Sequence, residues 1–264
     1  MSLEAALRGR HGIIGATQRL LDEVGSTNDE AAAWARRGAP HGAVVVAESQ
    51  LRGRGRLGRP WSSPPGENLY LSIVLRPRLA PAAAPPLTLA VGLALLDTAR
   101  SCGAVAHLKW PNDLLVDDRG ARRKVAGVLT EMATSGARIE HVIVGIGLNV
   151  GKRGFPPELA DLATSLQLAT GRMLDRTAVL LTLLDALDRR YADFVTHGTA
   201  ATVGTWKREV DFLGRIVTVS AGSEKVTGVA ETLDDEGALV VVEPDGTRHR
   251  LWAGDVQLAA TAGR

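Results

Sequence analysis

Gly53-Arg54-Gly55-Arg56-Leu57-Gly58-Arg59-Pro60-Trp61 is the stretch on which the fold turns. Letter by letter, Gly53, Gly55 and Gly58 satisfy G-x-G-x-x-G, the dinucleotide fingerprint, and an apolar strand candidate at 43–47 precedes them. That fingerprint works only when its third glycine opens a helix whose N-terminus faces a pyrophosphate. Here Arg59-Pro60-Trp61-Ser62-Ser63-Pro64-Pro65 follows, and a residue before proline is pushed away from helical dihedrals. No acidic residue ends a second strand where a ribose contact would need it, and no Gly-Lys-Ser/Thr exists for a Walker loop. The doubly wound nucleotide fold is rejected. What remains is a glycine-hinged loop carrying Arg54, Arg56 and Arg59. Glycine lets the backbone wrap closely on a ligand, and guanidinium forks suit carboxylate and phosphate. So regular an alternation of Gly and Arg points to an anion site, not to a solvated basic turn.

Upstream of the loop, 17–24 reads as a first strand. Ser26-Thr27-Asn28-Asp29-Glu30 follows, with Thr27 and Glu30 at capping-box spacing, opening a helix through 31–37 that ends near Gly38. The segment 50–67 reads as one long structureless loop, a length that marks function or mobility inside a compact domain. Downstream, 69–75 is a strand and 81–102 a long, mostly buried helix. Short strands follow at 106–109 and 114–116, then a hairpin of 124–132 and 139–150 joined at Ser135-Gly136. Helices are expected at 159–168 and 175–196. Beyond 198–212 the texture changes to short strands at 215–220, 225–233, 238–243 and 248–252. Their turns carry Ala221-Gly222-Ser223, Asp234-Asp235-Glu236-Gly237 and Pro244-Asp245-Gly246. The expected organisation is a large α+β domain at 1–212 and a small β-barrel domain at 213–264. No repeat of 20 to 50 residues occurs.

Composition narrows the classes. Of 264 residues, 45% are hydrophobic and 23% charged, the balance of a globular protein; aromatics are only 4%, so the core must rest on Ala, Leu and Val. A net charge of +2 argues against a whole-surface nucleic-acid binder. The single cysteine, Cys102, excludes an internal disulfide and reads as a small buried hydrophobe. No signal-peptide run opens the chain, and the apolar stretch 87–96 is short of the roughly 18 residues that span a bilayer. The cytoplasm is the expected compartment.

Three further clusters carry chemistry. Lys109-Trp110-Pro111-Asn112-Asp113 gathers a lysine, an amide and a carboxylate around a proline, although Pro-Asn-Asp is also ordinary turn chemistry. Lys124-Val125-Ala126-Gly127 places a lysine before an apolar strand whose glycine permits close approach of a ligand. Gly145-Ile146-Gly147-Leu148-Asn149 ends a strand with two glycines and an amide. The six histidines are scattered without metal-ligand spacing, and no G-x-S-x-G or Cys-His arrangement supports hydrolase chemistry.

Taken in order from Ser26 to Leu258, these clusters resemble the biotin–protein ligase family. The matching pieces are Ser26-Thr27-Asn28, Gln50, Gly53 to Arg59, Asn68-Leu69-Tyr70-Leu71-Ser72, Lys109 to Asp113, Lys124 to Gly127 and Gly145 to Asn149. The resemblance implies a mixed β-sheet flanked by helices, class II synthetase-like, followed by a small Src-homology-3-like barrel. It implies a ligase that makes biotinyl-5′-AMP from biotin and ATP, with Mg²⁺ accompanying the nucleotide. Biotin would then pass to a lysine of the carrier domain of a biotin-dependent carboxylase. It also implies site residues. For biotin these are Ser26, Thr27, Asn28, Gln50, Gly53, Arg54, Gly55, Arg56, Trp61, Lys124 and Gly127. For the nucleotide they are Arg54, Arg56, Arg59, Lys109, Asn112, Lys124 and Asn149. Lys124, Arg56 and Asp113 are the catalytic candidates, and no metal ligand is assigned. A second loop, 151–157, is expected to close on the adenine.

Members of the family that also repress transcription carry an N-terminal winged helix. Only about sixteen residues precede the first strand here, so a short form without a DNA-binding domain is expected, as monomer or homodimer, with no nucleic-acid or membrane partner. The alternatives are a lipoate or octanoate ligase, which would lack the Gly-Arg loop, a biotin-sensing repressor, and a non-enzymatic binding module.

Overall fold

Seven apolar or small residues in a row, Leu69–Leu75, form β3, and every one is buried. A strand covered on both faces must lie inside a sheet. In the computed structural model, which describes residues 3–221 and 224–259, it does. With β1 (Gln18–Val24), β2 (Ala43–Gln50), β4 (Ala106–Lys109), β5 (Asp113–Asp118), β6 (Ala121–Ser135) and β7 (Arg138–Leu148), the order is β1-β2-β3-β7-β6-β5-β4. Only β1 and β2 pair parallel, so the sheet is mixed.

Strand periodicity sorts the side chains between two faces. Leu69, Leu71, Ile73 and Leu75, with Val142, Val144, Ile146 and Leu148, enter the main core. Helices α3 (Leu87–Ser101) and α5 (Arg176–Glu209) cover that face. Eleven of the fifteen α3 residues are buried, which is why its apolar residues run all round rather than in a stripe. Gly92 lets α5 approach: a methyl there would lie 3.0 Å from Trp206 Cζ2, and Trp206 donates from Nε1 to Leu89 O at 2.7 Å. The opposite face meets α2 (Thr27–Arg36), whose Ala31 and Ala35 pack on Val45, Val74 and Ile143. Ten residues of helix reach only about 15 Å. The rest of that face, with Ser72, Gly127, Gly145 and Gly147, is left for something other than a helix.

The C-terminal strands are β8 (Ile216–Ala221), β9 (Glu224–Leu233), β10 (Leu239–Val242), β11 (Arg248–Leu251) and β12 (Asp255–Leu258), ordered β11-β10-β9-β8-β12 and all antiparallel. Their inner residues Val217, Val219, Leu239 and Val241 join the main core. The turn between β4 and β5, with a cis Trp110–Pro111 peptide bond, is pinned to them. Trp110 donates from Nε1 to Gly237 O at 3.1 Å, and Lys109 Nζ meets Asp255 Oδ1 at 2.5 Å.

Several sequence expectations need correction. The capping box is absent: Ser26 is the N-cap and makes no side-chain cap, while the Thr27 hydroxyl goes elsewhere. The stretch 159–168 is not one helix, because Lys124 captures it: Lys124 N donates to Leu162 O (2.8 Å) and Thr164 N to Lys124 O (2.9 Å). Helix α4 is therefore only Leu166–Thr170, capped by Ser165 and stopped by Gly171 at φ 66°. The helix expected at 175–196 kinks at Gly198 (φ 78°) and resumes to Glu209, since burial of Val203 and Trp206 favours a second helical piece. Helix α1 (Leu3–Arg8) and β12 were too short to read. Gly222 and Ser223 of the expected Ala221-Gly222-Ser223 turn lie outside the described residues. The 81–101 segment is, by length and composition, long enough to cross a bilayer, contrary to the sequence reading of 87–96; 72% of its apolar window is buried in the protein, as a core helix.

Candidate active site: a groove with a glycine floor

The groove lies on the half of the sheet face that α2 leaves open. Its first end is a neutral polar well. Gln50, the last residue of β2, accepts at Oε1 from the Thr27 backbone N–H (2.9 Å) and from the Thr27 hydroxyl (3.1 Å). Ser72 Oγ stands 2.8 Å from Thr27 Oγ1 and 2.6 Å from Asn28 Oδ1. Thr27, Asn28 and Ser72 are buried, as is Ser26 beside them. Gly145 makes room for Asn28, since a methyl there would lie 2.1 Å from Asn28 Oδ1.

Two residues along β7, roughly 7 Å further, Gly147 pairs with Gly127 of β6. The indole of Trp61 lies on this glycine pair: a methyl on Gly147 would be 2.4 Å from Trp61 Cε2 and one on Gly127 3.3 Å from Cζ3. At Gly147 no other residue fits under the ring, and at Gly127 a methyl would press on both the ring and the Lys124 side chain. Trp61 Nε1 is buried without a hydrogen-bond partner among the described residues.

The second end is charged. Lys124 Nζ lies 5.4 Å from the Trp61 ring and 2.7 Å from Asp113 Oδ1. The latter is a charge contact outside hydrogen-bond geometry, so Asp113 Oδ1 stays without a donor among the described residues. Arg56 donates from Nη1 to Asn112 Oδ1 at 2.9 Å, and Asn112 in turn binds β6 through Val128 O (2.8 Å). Burial lowers the Arg56 pKa, partly offset by the Asp113 charge nearby. Asn149 is buried and donates to Thr164 O at 3.0 Å, holding the strand-like segment that pairs with Lys124.

The Gly-Arg loop is ordered rather than structureless. Trp61 N donates to Gly53 O (2.8 Å) and Gly55 N to Arg59 O (2.7 Å), with Leu57 at φ 56° on the exposed tip. Gln50 Nε2 and Ser63 Oγ close its base at 3.0 Å. Gly53 is required there, because a methyl would lie 2.6 Å from Trp61 O.

Not every expected residue reaches this groove. Arg54 turns to Asp29 (2.7 and 3.0 Å) and Glu131 (3.2 Å), and these carboxylates raise its pKa. Glu131 also accepts from Asn28 Nδ2 at 2.6 Å. Lys109 faces Asp255, and Arg59 stays exposed. Cys102 is half-buried at the end of α3, where burial raises its thiol pKa. Sequence reasoning gave no site role to Ser72, Asp29, Glu131 or Lys152. Ser72 was findable: a lone hydroxyl inside an apolar strand needs a partner. Among the described residues no His, Cys, Asp or Glu cluster suits a metal ion. A hollow of about 800 Å³ opens by β1, lined by Asp22, Glu48 and Arg176, away from these groups. A smaller one of about 320 Å³ opens beside Arg56 and Asn112, against α3 and Trp252.

A neutral polar well, a glycine floor and fixed cations at the far end suit an enzyme that holds a long neutral-headed acid and activates its carboxylate. Comparison with known proteins gives that class its family. Residues 22–149 match the biotin/lipoate A/B protein ligase family and 212–259 the biotin protein ligase C-terminal domain. The biotin–[acetyl-CoA-carboxylase] ligase of Paracoccus denitrificans is 36% identical over 90% of this chain and 98% of its own. That of Mycobacterium tuberculosis is 35% identical over 96% and 94%. The biotin protein ligase of Aquifex aeolicus, solved in complex with biotin and ATP, superposes with a TM-score of 0.74 at 32% identity, covering 93% of this chain and 99% of its own. The chain belongs to the biotin/lipoate A/B protein ligase family, among its biotin–protein ligases.

Proposed function

We propose that the groove runs two half-reactions: biotin and ATP give biotinyl-5′-AMP, and biotin then passes to a carrier-domain lysine as an amide. The observation that carries this reading is the layout on one sheet face. A neutral hydrogen-bonding well is joined by Gly145, Gly147 and Gly127 to the Arg56–Lys124 cations. The ureido head of biotin takes the well of Ser26, Thr27, Asn28 and Gln50, its tail displaces the Trp61 ring from the floor of Gly127 and Gly147 and packs against it, and its carboxylate arrives at Lys124.

The first step is an electrostatic problem, since a carboxylate must approach a polyphosphate. A carboxylate oxygen attacks the α-phosphorus, the bond to the β-phosphate breaks, and pyrophosphate leaves with the electron pair. Lys124 and Arg56 offset the charge that gathers in that transition state. Asn112 and Asn149 face the nucleotide. Arg54 serves by holding the loop shut against Asp29 and Glu131, and Lys109 by fixing the C-terminal domain. Mg²⁺ travels with the triphosphate; no residue of the chain is assigned to hold it. Trp61 and the Gly53–Trp61 loop exclude water from a reactive mixed anhydride.

In the second step the acceptor amine attacks the biotinyl carbonyl and AMP leaves. Asp113, short of a hydrogen-bond donor at Oδ1, orients that amine or takes its proton. The domains divide as 1–212 for catalysis and 213–264 for the small barrel. The working compartment is the cytoplasm, and neither nucleic acid nor membrane is a partner; the chain acts as monomer or homodimer.

The test mixes purified protein with labelled biotin, MgATP and a biotin-acceptor domain, following label into acid-stable protein. Transfer requiring both ATP and the acceptor lysine supports the reading. Pyrophosphate exchange that depends on lipoate instead would overturn it. An Asp113→Ala variant should keep biotin-dependent exchange yet transfer at least tenfold more slowly; transfer at the normal rate would remove Asp113 from the mechanism.

A further inference from the structure

Lys152 is a buried cation that the mechanism above does not use. Only 6% of the residue is exposed, in the irregular segment that follows β7 and Asn149. Its Nζ donates to Ser62 Oγ at 2.9 Å and stands 5.0 Å from the Phe155 ring. No carboxylate lies within ion-pair distance of it among the described residues, whereas Arg10, Arg54, Lys124 and Arg190 each have at least one. Burial lowers its pKa, and the charge of Glu67 only partly restores it. An ammonium held this way is costly, because a hydroxyl and a ring replace a hydration shell.

Its position gives that cost a purpose. Gly151 N donates to Glu67 O at 2.8 Å, so the Lys152 segment and the 61–67 segment are tied by backbone. Trp61, next to the Ser62 that Lys152 binds, lies over Gly127 and Gly147 with Lys124 beside its ring. Lys124, on β6, and Lys152, in the segment after β7, thus flank the Trp61–Ser62 pair. Lys124 has a carboxylate partner and, among the described residues, Lys152 has none.

Resting on the adenylation reading above, we propose that Lys152 binds the leaving pyrophosphate, taking the β- and γ-phosphates of ATP while Lys124 and Arg56 face the carboxylate and α-phosphate. A phosphate oxygen replaces Ser62 Oγ as acceptor and supplies the missing counter-charge. When the α–β bond breaks, the pair departs on an oxygen already within the field of an ammonium. Lys152 donates hydrogen bonds throughout and transfers no proton.

The two half-reactions separate this role from a structural one, because only the first contains pyrophosphate. In Lys152→Met, the KM for ATP in biotin-dependent exchange should rise about 10- to 100-fold, the loss of a charge-assisted hydrogen bond. The KM for biotin should stay near the wild-type value. Transfer from preformed biotinyl-5′-AMP to the acceptor should proceed at the wild-type rate, and Lys152→Arg should restore most of the ATP affinity. Equal losses in both half-reactions, or an unchanged KM for ATP, would overturn the proposal. Calorimetric binding of inorganic pyrophosphate, weaker in Lys152→Met than in wild type, tests the site without any acid substrate. A wild-type protein that binds pyrophosphate through Lys152 but ignores biotin would sink the biotin reading alone.

Discussion

The two ends of the groove are built on opposite principles. At the polar well Thr27, Asn28, Gln50 and Ser72 have all found partners: Gln50 with Thr27 and Ser63, Ser72 with Thr27 and Asn28, Asn28 with Glu131. At the charged end the partners are incomplete. Among the described residues Asp113 Oδ1 and Trp61 Nε1 lack hydrogen bonds, and Lys152 lacks a carboxylate. The recognition end is set by folding, and the reaction end is completed by its substrates. Such an arrangement spends binding energy where charge develops, which raises rate rather than affinity alone. The comparison predicts that substitutions at the two ends fail in different ways.

The largest effect belongs to the charged end. Lys124→Met should lower the rate of adenylate formation about 10²- to 10³-fold, roughly 3–4 kcal/mol, as removal of one preorganised charge-stabilising group does elsewhere. Thermal stability should fall as well, because Asp113, largely buried, loses the ammonium 2.7 Å away and keeps its charge. Biotin affinity, measured without nucleotide, should change far less than the rate. A loss of affinity as large as the loss of rate would break the comparison, since it would make Lys124 part of ground-state recognition.

Ser72→Ala probes the other end. Removing the hydroxyl leaves Thr27 Oγ1 and Asn28 Oδ1 facing a methyl in a buried pocket, a cost of about 1–3 kcal/mol. It should appear both in the urea midpoint and in biotin affinity. Transfer from preformed biotinyl-5′-AMP at saturation should be nearly unaffected. If the melting point fell while biotin affinity stayed level, the well would be a structural network only.

These residues also show what a sequence can disclose. The sheet was legible because β3 and β7 are continuous apolar runs that nothing else explains, and Leu69–Leu75 came out to the residue. The charged cluster was legible because Lys109 to Asp113 and Lys124 to Gly127 combine rare residue types at turns and strand ends. What escaped depends on partners far along the chain. That carboxylates 25 and 77 positions away hold Arg54 in the structure is not visible in the loop that carries it. Residues 159–168 have helical composition, yet Lys124 takes the backbone hydrogen bonds of Leu162 and Thr164. Thr27 has capping spacing, and Gln50 outbids the helix for its hydroxyl. The last two errors have one form: a local preference of a few tenths of a kcal/mol lost to a tertiary contact of about one.

The smallest effect tests the rim between the ends, where Arg54 bridges Asp29 and Glu131. The hydrogen bond from Arg54 holds the Asp29 carboxyl below its ordinary 3.8. A depressed folded pKa means that the pair stabilises the protein above that ordinary value and stops doing so as pH falls through the lower one. Asp29 is half exposed, so solvent limits the gain to about 1 kcal/mol or less. In Asp29→Asn the urea midpoint should drop slightly at pH 7, and the gap from wild type should close below about pH 4 and at high salt. Protease sensitivity of the Gly53–Trp61 loop should rise in the same variant if Arg54 is what keeps that loop seated. A loop equally resistant in both proteins would place the restraint in the Gln50–Ser63 base instead, and so assign the loop to the preformed half of the groove.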